Sequence, residues 1–122
     1  MKTNKHFDTN AIHAGEADKK EKNALNNPIY MTSTFTFDDL DHAEKTFSFE
    51  KDDYVYTRGN NPTLKVLEQK MAALEKGADS VAFASGMAAI SSVLLSAAEP
   101  GEKVLAHKVI YGSTHNFIKN IM

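Results

Sequence analysis

The chain has 122 residues, 42% of them hydrophobic and 25% charged, with a formal net charge of −2, which is the composition of an ordinary globular domain. It contains no cysteine, and its five histidines form no HExxH-type pairing, so we expect neither disulfides nor a metal site. The N-terminus has no apolar segment, and the apolar runs are shorter than the about 20 residues that span a bilayer, so we expect a cytoplasmic protein without membrane partners. The mild acidity also argues against a nucleic-acid partner.

The first 28 residues are polar and rich in Asn, Lys and Asp, and only AIH at 11–13 suggests a short ordered piece. From Ile29 to Phe37 the sequence IYMTSTFTF alternates between two faces, which predicts an extended, half-buried segment rather than a helix. The more apolar face carries Ile29, Met31, Ser33, Phe35 and Phe37.

A short helix is predicted to follow this segment. Asp38 or Asp39 can cap it, acidic residues occupy its first turn, and its apolar stripe ends at about Phe47. We therefore expect residues 1–50 to form an extended N-terminal arm with one short helix, and the domain proper to begin at residue 51.

The stretch NPTLKVLEQKMAALEKG predicts a longer helix with clear ends. Asn61 is a good N-cap, Pro62 suits the first helical position because its missing N–H costs nothing there, and Gly77 fits the C-terminal stop. One side of the helix carries its apolar residues at helical spacing, Leu64, Leu67, Met71 and Leu74.

The remaining residues alternate between strand and helix patterns. VAFA at 81–84 and KVLAH at 103–107 read as buried strands, separated by a helix at 86–98 and a Pro100-Gly101 turn, and a third helix begins near Ser113. This order is typical of an α/β fold with a parallel sheet, of which two strands are an incomplete part. Since HNFIKNIM at the end carries no helix stop signal, we expect the N-terminal piece of a longer protein, unstable when expressed alone.

The break between the first strand and its helix falls at Ser85-Gly86. The first N–H groups of such a helix point outward at the carboxyl end of the sheet, where they favour an anion such as phosphate. The alternative is that Gly86 only makes a tight turn. No GxxxxGK[ST] is present, and one glycine stands where a dinucleotide fingerprint needs three, so ATP and NAD are disfavoured.

Arg58 is the single arginine among 14 basic residues. Its planar fork of donors fits phosphate or carboxylate in a bidentate way that lysine cannot copy. The alternative is a chance surface arginine. The four histidines at positions 13, 42, 107 and 115 show no carboxylate or histidine partner at ligand spacing and are expected to be solvated or packed.

Five motifs, taken together in order and spacing, resemble the start of the Cys/Met-metabolism family of pyridoxal-phosphate (PLP) enzymes. They are AIHAG (11–15), PIYMTSTFTF (28–37), YVYTRGNNPTLKVLEQKMAALE (54–75), ASGMAAI (84–90) and VIYGST (109–114). The resemblance implies the fold type I architecture of aspartate aminotransferase, with an arm that makes intersubunit contacts and residues 51–122 as the beginning of the large PLP-binding domain.

The resemblance also implies roles for individual residues. In this family the backbone amides matching Gly86 and Met87 hold the cofactor phosphate. The side chains matching Tyr56 and Arg58 reach across a subunit interface to the phosphate of the neighbouring protomer. The aromatic ring matching Tyr111 stacks on the cofactor ring and assists proton transfer, which makes Tyr111 the candidate catalytic residue.

Further expectations concern partners and activity. The resemblance implies a homo-oligomer, a dimer of dimers, acting on a sulfur-containing amino acid or an O-acylated homoserine by β/γ-elimination or γ-replacement. The family's cofactor lysine matches no lysine of this chain, so we expect the chain alone to be inactive. Ser113 stands where methionine γ-lyases of the usual pattern carry a cysteine, which leaves the branch of the family open. A non-catalytic phosphate-binding or oligomer-assembly module derived from the family is the alternative.

Overall fold

The computed structural model describes residues 6–16, 21–99 and 101–122, which form two compact units, Met1–Val81 and Ala82–Met122. The first unit contains helices α1 (Phe7–His13), α2 (Leu40–Phe47) and α3 (Pro62–Glu75), with a short 3₁₀ turn at Glu21–Asn23. The second contains α4 (Gly86–Ala97) and α5 (Gly112–Asn120). None of the helices in these ranges is long and apolar enough to cross a membrane.

Helix α1 replaces part of the expected extended arm. It includes the short ordered piece expected at 11–13 and replaces extended chain at 7–10. The helix packs on α3, and Lys70 Nζ donates to the Ile12 carbonyl at 2.8 Å. The chain then turns at Gly15, where φ is +77° and an added Cβ would lie 2.7 Å from the Val66 carbonyl oxygen. Only glycine fits such a close approach with this backbone conformation. The arm residues 1–5 and 17–20 lie outside the described residues.

Helix α2 begins as predicted, with Asp39 as its N-cap accepting from the His42 backbone N–H at 2.7 Å. The extended segment before it is half-buried only near its end. The Phe37 ring packs 5.8 Å from the ring of Phe47, whereas the Met31 side chain is 94% exposed. The alternating pattern was therefore right about the extended backbone and wrong about the burial of its first half.

Helix α3 is confirmed over its whole length, with Asn61 as N-cap and Pro62 in the first turn. Its end differs from the prediction by one residue, because the left-handed position is Lys76, at φ 57°, and not Gly77. The N–H groups of Lys76 and Gly77 both donate to the Ala72 carbonyl, Gly77 at 2.9 Å. The carbonyls in the last turn of a helix have no partner within the helix, and these two bonds satisfy the one at Ala72. They stabilise the left-handed backbone at Lys76, although this residue is not a glycine.

Helices α4 and α5 also form where the sequence predicts them, and they pack against each other. The predicted strands at 81–84 and 103–107 do not form a β-ladder in the described ranges, and Leu105 is fully exposed, so the buried parallel sheet is not confirmed. A parallel strand obtains its hydrogen bonds and its burial from neighbours distant in sequence. The described residues supply no such neighbours here. Pro100 of the predicted turn lies outside them.

The second unit leaves an open apolar groove of about 460 Å³. It is lined by residues of both helices and of the connection between them, namely Ala89, Ile90, Val93, Leu94, Val104, Leu105, Ala106, His107, Ile110, Thr114 and Ile118. Apolar surface of this kind associates with other apolar surface in water.

We expect the chain expressed alone to self-associate as its concentration rises, because this groove is exposed. Light scattering coupled to gel filtration measures the mass directly. Leu105→Asp, which places a charge on a fully exposed apolar position, should reduce the association. A wild-type chain that stays monomeric at every concentration would contradict the prediction.

Candidate functional site

The N-terminus of α4 keeps two backbone N–H groups open. Ser85 caps the helix, its Oγ accepting from the Ala88 N–H at 3.1 Å and its carbonyl from the Ala89 N–H at 3.1 Å. The N–H groups of Gly86 and Met87 have no acceptor among the described residues. Two open amides at the positive end of a helix form a site for an anion.

Gly86 leaves free space in front of these amides. Its φ is not in the left-handed region, so the backbone conformation itself does not require glycine. An added Cβ would meet no atom within 4 Å in the described structure. Both observations favour the ligand interpretation of Gly86 over the tight-turn interpretation.

Tyr111 stands at the start of α5, whose first turn contacts α4. Thr114 Oγ1, in the first turn of α5, is 3.6 Å from Met87 Sδ, which brings the N-terminal turns of α4 and α5 together. Tyr111 precedes α5 as its N-cap, with its carbonyl accepting from the His115 N–H at 3.0 Å and its side chain 68% exposed. Tyr111 thus begins the helix that contacts α4, and its ring is exposed.

Tyr56 and Arg58 lie in the first unit, on a turn that a short antiparallel pairing fixes. Thr34 and Tyr56 form a β-bridge, and the Gly59 N–H donates to the Tyr56 carbonyl at 2.9 Å to close the turn. The Arg58 guanidinium lies 4.6 Å from the centroid of the Tyr56 ring, a cation–π contact. No carboxylate of the described residues pairs with Arg58, so its donors are available to an anion.

A concavity of about 740 Å³ opens beside this turn. Its lining combines cationic, acidic and aromatic side chains with backbone: Thr46, Phe47, Phe49, Lys51, Asp52, Asp53, Val55, Tyr56, Arg58, Gly59 and Asn60. The Tyr56–Arg58 pair therefore faces a space large enough for part of another molecule. Within the described ranges, no group of three or more His, Cys, Asp or Glu side chains could hold a metal ion.

Asn61 holds the Tyr56–Arg58 turn against α3, a role beyond the capping that the sequence predicts. The side chain is 2% exposed, and its Oδ1 accepts from the Thr63 N–H at 2.9 Å. Its Nδ2 donates to the Tyr30 carbonyl at 3.1 Å and to Thr57 Oγ1 at 2.9 Å. Thr63 Oγ1 accepts in turn from the Tyr30 N–H at 2.9 Å. The NPT motif thereby joins three separate segments.

His42 has a carboxylate partner, contrary to the expectation from spacing. Its Nε2 lies 3.0 Å from Asp53 Oδ2, and Lys51 Nζ lies 3.2 Å from the same oxygen. The pKa of Asp53 is lowered below its ordinary value, first by the hydrogen bond from the Tyr54 N–H to Oδ1 at 2.8 Å, and then by His42 and Lys51. His13 similarly contacts Glu16 at 3.2 Å. Partners eleven residues apart across a loop are outside what motif spacing can detect.

The sequence profile of the Cys/Met-metabolism PLP-dependent enzymes matches residues 8–122. The chain belongs to this family. Its members depend on PLP, and the chain is 43% identical over 108 residues to an L-methionine gamma-lyase of Pseudomonas deceptionensis, covering 88% of this chain. It is 40% identical over 108 residues to an O-acetyl-L-homoserine sulfhydrylase of Corynebacterium glutamicum, again over 88% of this chain.

Solved structures of this PLP family share the fold of the chain. A Campylobacter jejuni structure assigned as an O-acetylhomoserine (thiol)-lyase, which carries N'-pyridoxyl-lysine-5'-monophosphate, superposes with a TM-score of 0.87 at 33% identity over 96% of this chain. The likeness supports the fold type I architecture. The chain spans 27% and 25% of the lengths of the two relatives above and 29% of this structure.

The five residues expected to serve the cofactor of this PLP family fall into two groups. Gly86, Met87 and Tyr111 lie in the second unit, where Thr114 of the helix that Tyr111 precedes contacts Met87, and Tyr56 and Arg58 stack together in the first. Each group can bind an anion or an aromatic ring by itself. The open amides and the unpaired guanidinium both suit a phosphate, so the residues present fit the phosphate end of PLP.

Replacing Asn61 by alanine should destabilise the first unit by about 2 kcal/mol, because the α3 cap is lost and the buried Tyr30 carbonyl loses a donor. Urea unfolding in dilute solution, followed by the helical circular dichroism signal, measures the change. Asn26→Ala, at an exposed position of the same unit, serves as the control. Equal unfolding midpoints for the two variants would contradict the role given to Asn61.

The Asp53 carboxylate should stabilise the protein fully above its ordinary pKa of 3.8 and progressively less below it. Because the folded-state pKa is lowered, the native state gains from ionised Asp53 at higher pH and loses this gain as the pH falls through the folded value. The difference in unfolding free energy between wild type and Asp53→Asn should be constant near neutral pH and shrink in acid. A difference in unfolding free energy that grows in acid would contradict the lowered pKa of Asp53. Asp52→Asn, at the exposed neighbouring position, is the control.

Proposed function

We propose that the chain forms part of the PLP site of an enzyme of sulfur amino-acid metabolism that catalyses β/γ-elimination or γ-replacement. The observation that carries this proposal is the pair of open amides, Gly86 and Met87, at the N-terminus of α4. Membership of the family and the names of the relatives support the same chemistry. The substrate would be a sulfur-containing amino acid or an O-acylated homoserine.

The chain's own residues would bind the cofactor at two ends. The N–H groups of Gly86 and Met87 donate to the phosphate, where the dipole of α4 favours negative charge. The Tyr111 ring, which is 68% exposed, would pack against the aromatic part of the cofactor, and its hydroxyl would hold and move a proton during elimination. PLP, when bound, supplies an electron sink for carbanion chemistry, which no side chain provides.

Tyr56 and Arg58 would serve the phosphate of a neighbouring subunit, which makes the active unit a homo-oligomer of at least two chains. Their exposure and stacking support this role, since Arg58 has no ion-pair partner in the described structure and Tyr56 is 40% exposed. The guanidinium fork binds two phosphate oxygens at once. Residues 1–50 and 51–122 would then act as the intersubunit arm and the beginning of the PLP-binding domain.

A protein with the full length of the family's members that contains this chain should bind PLP and turn yellow. Arg58→Ala should weaken PLP binding about tenfold or more, because a charge-assisted pair is lost. Arg58→Lys should restore binding only in part, because the lysine lacks the fork. Equilibrium titration of the apoprotein with PLP measures the effect. A protein without affinity for PLP would end the proposal. Binding without turnover of any sulfur amino acid would favour the assembly-module alternative.

Mixing two inactive variants tests whether the site is shared. Arg58→Ala removes the cation, and Gly86→Asp places a carboxylate next to the amides, at a position where an added Cβ meets no atom within 4 Å. In a mixed dimer one site carries both defects and the other neither, so activity should return after subunit exchange. If mixed dimers form, as mass spectrometry can establish, and activity stays absent, Arg58 acts within its own subunit or away from the phosphate.

A further inference from the structure

His42 is held rigidly on α2 by contacts on three sides. Its Nδ1 accepts from the Asp38 N–H at 3.2 Å, and its Nε2 lies 3.0 Å from Asp53 Oδ2 and 2.8 Å from Lys51 Nζ. The ring also packs edge-on against Phe37, with 5.5 Å between the centroids. The side chain is only 14% exposed. A ring fixed in this way can orient the carboxylate that its Nε2 contacts.

Asp53, the partner of His42, controls the start of the segment that carries Tyr56 and Arg58. Its Oδ1 accepts from the next residue's N–H, and its carbonyl accepts from Asn60 Nδ2 at 3.4 Å. Asp53 thus contacts both ends of the turn, three residues before Tyr56. It also lines the same concavity as Tyr56 and Arg58.

The loop from 51 to 60 is therefore anchored at two points. Asn61 fixes its second end against α3 and Tyr30, while His42 fixes its first end against α2. Lys51 also contacts Asp53, but its side chain is 47% exposed and long, so it restrains the carboxylate less than the packed imidazole does.

We propose that His42, through its hydrogen bond to Asp53, is a positioning residue for the phosphate-binding Tyr56–Arg58 pair. The inference rests on the proposed function, since it requires that this pair binds the cofactor phosphate. His42 does not reach the phosphate itself. It sets the first end of the loop, and with it the direction in which the stacked guanidinium faces the concavity.

The test uses the PLP-free form of a protein that contains this chain and has the full length of the family's members. It compares the dissociation constants of PLP and of pyridoxal, which lacks the phosphate. His42→Ala should raise the PLP constant about three- to tenfold, the equivalent of one ordinary hydrogen bond because His42 acts only indirectly, and leave that of pyridoxal unchanged. His42→Gln, whose amide can donate to Asp53, should restore most of the affinity. His6→Ala, at an exposed histidine of the first unit, should behave as wild type.

A double-mutant cycle shows whether the effect passes through Asp53. If it does, His42→Ala combined with Asp53→Asn should weaken PLP binding no more than the stronger single variant. Additive losses would overturn the inference, as would equal losses for PLP and pyridoxal, which mark general loosening of the fold. Wild-type affinity in His42→Ala, alongside a clear loss in Arg58→Ala, would overturn this inference alone. No loss in Arg58→Ala would overturn the phosphate role proposed for Tyr56 and Arg58, on which this inference rests.

Discussion

The buried amide of Asn61 is the interaction on which the arrangement of the first unit depends. One side chain caps α3 through its oxygen and ties the Tyr30 carbonyl and the Thr57 hydroxyl through its nitrogen. An aspartate could cap the helix equally well but has no donor for Tyr30 and Thr57, and a serine is too short to serve all three groups. Pro62, next in sequence, occupies the first turn of α3. Two adjacent residues thus fix the start of this helix, and Asn61 also fixes the Tyr56–Arg58 turn.

Both candidate half-sites leave anion-binding groups without a partner in the described structure. The Gly86 and Met87 amides lie at the N-terminus of α4, where Ser85 accepts hydrogen bonds from the next two N–H groups. Arg58 stacks on an aromatic ring instead of pairing with a carboxylate. Water satisfies such groups at an exposed surface, so leaving them open costs little stability. A phosphate can then bind without first displacing a protein acceptor.

The parts of the fold that depend on local chemistry could be predicted from the sequence. The caps Asp39 and Asn61, the proline in the first turn of α3 and the start of α4 at Ser85-Gly86 each rest on residues a few positions apart. Features that depend on distant partners could not be predicted. Helix α1 exists as a packed element through its contact with α3, and the apolar runs at 81–84 and 103–107 have no ladder in the described residues.

The candidate site shows the same division. Helix-end physics pointed to Gly86, and the donor fork of the single arginine pointed to an anion at Arg58. The interpretation of Tyr56 and Tyr111 came from the family resemblance, because neither carries a local signal for phosphate or for an aromatic ring. The contact between His42 and Asp53 escaped both approaches, since it joins α2 to a loop with no periodic pattern. The histidine's burial, invisible in the sequence, is what marks it.

The stacking of Arg58 on Tyr56 has a consequence for the thermodynamics of binding. A free arginine side chain loses about 2 kcal/mol of rotamer entropy when it is immobilised. Here the ring, 4.6 Å from the guanidinium carbon, already restricts those rotamers before any anion arrives. Part of the entropy cost of ordering the Arg58 side chain is therefore met during folding, and the guanidinium remains planar and fully charged in the absence of an anion. Such preorganisation favours slow release of a bound phosphate more than it favours fast capture.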